Sequence, residues 1–275
     1  MKDTITLKRI PATKPEAKFP FEIAGYRSTG TFAVIDLETT GVNPEDDEII
    51  ELGVCIVDFN HNKGINRIVN AYSELEQPSV PVIDEITRIT GINNEMVRGR
   101  RIDGERLSDA LSGVDFIVAH NAGFDRKFFD KRFPEMRKMP WACSMSEFDW
   151  RSAGYETKAL KYLLMDNGWF FDGHRASIDA VATAWLLDCD RGAFDAVVSS
   201  IGRVDYTVRV LGNSFAIKDK LSEMGMRFYD CKEHGKHWYR SGAGPHDAYC
   251  LIEDIKSMGH SNVIYEKVSA YSRYK

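Results

Sequence analysis

No stretch of this chain approaches the roughly 20 consecutive apolar residues that a membrane-spanning helix needs. Its first residues, MKDTITLKRIPATKPEAKFP, also lack the apolar centre of a secretory signal. Cysteine is sparse: Cys55, Cys143, Cys189, Cys231 and Cys250 are odd in number and widely scattered, which argues against a disulfide framework and for a reducing compartment. The expected location is the cytoplasm, with no membrane partner. Positive charge is not in excess either, since 36 Lys and Arg against 41 Asp and Glu leave a net −5. Whole-chain charge therefore does not mark a nucleic-acid binder. No internal repeat or low-complexity tract is visible. What is present is 275 residues, 43% hydrophobic, enough for one ordinary domain and a smaller one.

Charge is unevenly spread. Residues 201–275 hold 12 Lys and Arg against 9 Asp and Glu, or +3, which leaves −8 in residues 1–200. Residues 1–30 mix Lys, Pro and polar residues without periodicity and read as an extension, loose or draped over the body. From residue 31, 32-FAVIDL-37, 49-IIELGVCIVDF-59 and 66-NRIVNAYSEL-75 read as strands, with a short buried strand at 116-FIVAH-120. Helical spacing follows at 82–90, 104–113, 123–133, 157–168 and 177–190, the last with Ser177 as its expected N-cap. Strands first and helices afterwards predict a mixed α/β sheet flanked by helices over 31–190. Residues 191–204 read as a linker, and 205–275 as a small α+β module.

The segment 34-VIDLETTG-41 puts two carboxylates on an otherwise buried strand. Strand side chains alternate faces, so Asp36 and Glu38 sit side by side on one surface. Buried, unpaired like charges cost several kcal/mol by order of magnitude, so this pair needs cations, protons or water. Three further residues can join it. In 118-VAHNAGFDRKFF-129, Asp125 follows a buried strand near a helix start. In 174-HRASID-179, His174 lies on a loop and Asp179 in the first turn of the next helix.

The order Asp-x-Glu-Thr-Thr-Gly, then His-Asn-x-x-Phe-Asp, then His with Asp five positions later, resembles the DEDDh exonucleases over roughly residues 31–190. The resemblance implies a ribonuclease H-like α/β fold and 3'-5' exonuclease activity that releases nucleoside 5'-monophosphates. It implies two Mg²⁺ or Mn²⁺ ions held by Asp36, Glu38, Asp125 and Asp179, with His174 as general base. Contacts to the terminal nucleotide would come from Leu37, Thr39, Thr40, Gly41, Asn121 and Phe124, and from Glu85 and Thr90 in 82-VIDEITRITGI-92. The chemistry agrees with the residue types: hard oxygen donors suit Mg²⁺ or Mn²⁺, and an imidazole titrates near working pH. The implied partner is nucleic acid with a free 3' end, DNA preferred, with a polymerase or other replication or repair partner. RNA trimming and a catalytically silent nuclease fold used as a binding subunit are the rival readings.

The C-terminal module is more open. Lys and Arg interleave with Tyr229, Trp238, Tyr239, Tyr271 and Tyr274, which suits a strand-guiding surface or simply the core of a small domain. Cys231, His234, His237, His246 and Cys250 offer zinc-type ligands at an unusual spacing.

Overall fold

The computed structural model describes residues 6–275, so the first five residues of the expected extension lie outside the described residues. The described residues form two units, one of residues 6–201 with 274–275, the other of residues 202–273.

The first unit runs β1 (Lys8–Arg9), β2 (Phe21–Glu22), β3 (Gly30–Thr39), β4 (Ile49–Asn60), β5 (Gly64–Leu75), α1 (Asp84–Thr90), α2 (Asn94–Val97) and α3 (Gly104–Leu111). It continues with β6 (Phe116–Ala119), α4 (Ala122–Arg132), β7 (Trp141–Cys143), α5 (Leu160–Asp166), β8 (Trp169–Phe170), α6 (Ala176–Cys189) and α7 (Arg191–Ser200). Six strands form one mixed sheet in the order β2-β5-β4-β3-β6-β7. β3 is antiparallel to β4 and parallel to β6. Ahead of β3, β2 pairs with β5 at the sheet edge, and β1 pairs with β8 outside that sheet.

Alternation along β3 builds two cores. Phe32 and Val34 enter a cluster with Ala180, Leu186 and Leu187 of α6, while Ala33, Ile35 and Leu37 enter another with Leu107 of α3 and Phe128 of α4. Burial on both faces explains the nearly continuous apolar runs of β3 and β4. It also fixes where the carboxylates point, because Asp36 and Glu38 continue the Phe32–Val34 face, the one that α6 covers.

Two expectations about local structure need correction. Residues 191–204 are not simply a linker, since α7 occupies most of them and buries Ala193, Phe194 and Val197 in the core shared with α6. Those positions repeat at helical spacing, a pattern that the short polar connection at Asp190 obscures. Ser177 is not the N-cap of α6: the cap position is Arg175, with no capping bond from its own side chain. The carboxylate of Asp179 instead reaches back to the backbone N–H of His174 (2.8 Å) and Arg175 (3.3 Å).

The second unit comprises β9 (Asp205–Val210), α8 (Lys218–Glu223), β10 (Arg227–Cys231), β11 (Gly235–Ala243), α9 (Pro245–Ser257) and β12 (Val263–Val268). Its antiparallel sheet has the order β10-β11-β9-β12. Val208, Val210, Leu221, Leu251 and Ile255 form its own small core.

Candidate active site

The site begins at the end of β3, in the middle of the sheet. Asp36 pairs across the strands with Gly53 of β4, and Glu38 with Glu51. Gly53 has no side chain, and the space above it is taken by the first turn of α6: a Cβ on Gly53 would collide with the Ala176 carbonyl and the Ser177 nitrogen. The helix terminus can therefore settle directly on the sheet, which brings Asp179 to Asp36 and Glu38. One oxygen from each of these three carboxylates lies within 4.8 Å of the others.

Asp125 arrives differently. β6 ends at Ala119, and α4 starts three residues later on the other side of the sheet. From its first turn the Asp125 carboxylate accepts a hydrogen bond of 3.1 Å from the backbone N–H of Leu37, between the two β3 carboxylates. The structure thus groups Asp36, Glu38 and Asp179 tightly and holds Asp125 against the strand behind them.

The electrostatics agree with this crowding. Burial first, then Asp125, Asp179 and Glu38, raise the Asp36 pKa well above the ordinary carboxylate value. Glu38 is raised to about 7 by burial, then Asp179 and Glu51, against the lowering effect of Arg175. Burial raises Asp125 to about 7 and Asp179 to about 6. Mutual repulsion of this kind is what a divalent cation relieves, and an all-oxygen donor set of this size fits one. His174 lies beside the group on an exposed loop, with φ at 70°.

Sequence reasoning missed three residues here. Glu51, fully buried, receives a two-pronged grip from Arg175, with Nη2 at 2.8 Å and Nε at 3.1 Å from Oε1. Its other oxygen accepts from the Ala176 backbone N–H at 3.1 Å, so Glu51 does the capping expected of Ser177. Gly53 supplies the landing place. The available signal was a carboxylate, Glu51, inside the apolar run 49-IIELGVCIV-57, the same anomaly that exposes Asp36.

The expected nucleotide contacts divide. Thr39 and Thr40 fix the β3–β4 turn: Thr39 Oγ1 donates to the Gly41 carbonyl (2.5 Å) and Thr40 Oγ1 to Asp47 (3.1 Å). A side chain at Gly41 would strike Asp47. Leu37 is core, and only its backbone reaches the site. Asn121 is exposed at the start of α4, Phe124 is half-buried against Phe128, and Glu85 is exposed in the first turn of α1. Thr90 needs correction as a substrate contact. It is buried, and its hydroxyl donates to Ile86 O and accepts from Ile92 N, so its polar capacity is used within the end of α1. His120 braces the site, bonded to Ser144 Oγ and Lys158 O at 2.8 Å each. Burial lowers its pKa, and its Nε2 donates to that carbonyl, which can only accept.

The zinc-type residues of the second unit do not converge. Cys231 accepts from the His234 backbone, His237 bonds Gly235 O, and Cys250 faces His246 one turn away on α9. Among the described residues the only cluster of three or more such ligands is Asp36, Glu38 and Asp179. All five cysteines are unpaired, and among the described residues no helix is long and apolar enough to cross a membrane.

Comparison with known proteins locates this arrangement. The family described as Exonuclease matches residues 33–187. The DNA polymerase III subunit epsilon of Aquifex aeolicus is 33% identical over 165 residues, covering 58% of this chain and 79% of that protein. A PolC-type DNA polymerase III of Thermotoga maritima is 34% identical over 172 residues, 57% of this chain but only 12% of the polymerase. Exonuclease I of E. coli, solved with single-stranded DNA, shares the fold at 15% identity, with a TM-score of 0.53 over 85% of this chain and 68% of that one. With its three motifs inside the matched segment and their carboxylates gathered at the end of the central strand, the chain belongs to the exonuclease family.

Proposed function

We propose that this protein is a divalent-metal-dependent exonuclease that removes nucleoside 5'-monophosphates from the 3' end of DNA. The observation that carries the proposal is the approach of Asp36, Glu38 and Asp179 within 4.8 Å, with raised carboxylate pKa values and an exposed histidine alongside. Mg²⁺ or Mn²⁺ suits these donors, because no thiolate or second imidazole joins them. Two such ions would supply a nucleophilic water at neutral pH and a counter-charge for the departing 3' oxygen. Asp36, Glu38 and Asp179 would hold them. Asp125 contributes from behind the strand while fixing the Leu37 backbone. His174 accepts the proton of the attacking water, and its loop position leaves the ring free to meet bound substrate. Asn121, Phe124, Glu85 and the Thr39–Thr40–Gly41 turn are the proposed contacts for the terminal nucleotide.

The DNA polymerase III identity of the curated relatives supports DNA over RNA, and with it a replication or repair partner. The five unpaired cysteines support a cytoplasmic setting. The test uses end-labelled single- and double-stranded DNA and RNA with Mg²⁺, Mn²⁺ or chelator. Metal-dependent release of 5'-mononucleotides from DNA 3' ends supports the proposal. Preferential release from RNA overturns the substrate, and no hydrolysis of either leaves a binding subunit.

A further inference from the structure

The second unit contains a cavity of about 410 Å³ lined by Gly212, Asn213, Ser214, Phe215, Lys218, Phe228, Lys236 and Trp238. Its composition is unusual for a small domain: three aromatic rings, two lysines and no carboxylate. Phe215 is 73% exposed and Phe228 56%, so neither ring serves the core of the unit, whereas Trp238 packs partly against it. Phe228 and Trp238 are paired across the β10–β11 hairpin, with ring centroids 5.4 Å apart. Lys218 Nζ sits 4.4 Å from the centre of the Phe215 ring. Phe228 meets Trp238 edge to face, Lys218 lies over one face of Phe215, and the exposed ring surface that remains is solvated poorly by water while the two lysines of the same cavity attract anions.

We infer that this cavity binds a nucleotide of a single nucleic-acid strand, the base stacking among Phe215, Phe228 and Trp238 and the adjoining phosphates meeting Lys218 and Lys236. Charge complementarity selects this occupant, because an aromatic ring joined to a phosphate matches both the rings and the lysines of the cavity. A volume in the roughly 300–1,000 Å³ range of ligand sites admits one base. The inference rests on the reading that nucleic acid is the substrate, but it concerns a site in the second unit, apart from the carboxylates.

The test uses the full chain. Binding of labelled single-stranded and duplex oligonucleotides is measured by fluorescence anisotropy over a salt series, in an Asp36→Asn background that prevents hydrolysis. Phe215→Ala with Phe228→Ala should weaken single-strand binding about tenfold or more while leaving the salt slope unchanged. Lys218→Gln with Lys236→Gln should instead lower the salt slope by about 1–2. In the active protein, hydrolysis of the p-nitrophenyl ester of thymidine 5'-monophosphate reads the catalytic carboxylates alone and should not change in either variant. Single-strand affinity within about twofold of the parent in the aromatic variant overturns the inference, as does an equal loss on duplex, whose stacked bases are not available. Failure of the unmodified protein to hydrolyse either ester or oligonucleotide would instead refute the nuclease reading, leaving the binding result to stand on its own.

Discussion

At Asp36 charge and burial conflict. In the metal-free protein its pKa and those of Glu38, Asp125 and Asp179 are all raised, so the folded state retains protons that the unfolded chain releases. The linkage follows in sign: stability from these groups is complete below the ordinary carboxylate range and is lost as pH rises through about 6 to about 7. Thermal melts without metal should show Tm falling by several degrees across that window, and added Mg²⁺ should restore it with release of protons. Asp36→Asn should abolish hydrolysis, raise the metal-free Tm at the upper end of the window and cancel the Mg²⁺ response. A metal-free Tm independent of pH would contradict the crowding. His174→Ala should lower the rate roughly 100- to 10,000-fold while keeping the Mg²⁺-induced rise in Tm; losing that rise would make His174 a ligand. These residues were legible because each lies in a short, ordered motif. Glu51, Arg175 and Gly53 were not, because their importance depends on which helix crosses β4, and sequence spacing carries no such information.

At the scale of elements, the site depends on how closely α6 approaches β4. Gly53→Ala inserts one methyl group under the first turn of α6 and moves Asp179 away from Asp36 without changing any ligand. Displacement of about 1 Å can cost on the order of a hundredfold in rate, so kcat should fall by that order with Asp36, Glu38, Asp125, Asp179 and His174 all intact. Glu51→Gln removes the charge that clamps Arg175 and should reduce Mg²⁺ affinity or turnover by roughly 10- to 100-fold, the scale typical of groups that orient metal ligands. Titration of Mg²⁺ against activity separates the two outcomes, and unchanged values in both variants would remove α6 docking from the account. The elements themselves were readable: β3, β4, β5, β6 and α4 fall where periodicity puts them. Caps and connections were less so. Ser177 has the right chemistry for a cap, yet Glu51, distant in sequence, provides the bond to Ala176. Thr90 shows the same limit, since motif position suggested an exposed contact and helix packing buried it.

For the whole molecule, each unit has a core of its own, so excising residues 202–273 and joining the remaining ends through a flexible glycine-serine linker should leave metal-dependent hydrolysis of a small nucleotide ester intact. Salt-sensitive affinity for long strands should fall, because the 12 Lys and Arg of residues 201–275 are almost all removed. Loss of ester hydrolysis in a protein that still melts cooperatively would show that catalysis needs the second unit. The excision has to spare the last two residues, which belong to the first unit. Tyr274 packs against the core that holds Leu37 and Phe129, and its hydroxyl bonds Glu147 and Ser146. Synthesis on the ribosome proceeds from the N-terminus, and domains form largely as they emerge. Here the first unit cannot close on its own stretch of chain: Tyr274 reaches Glu147 and Ser146 only after every residue of the second unit has been made.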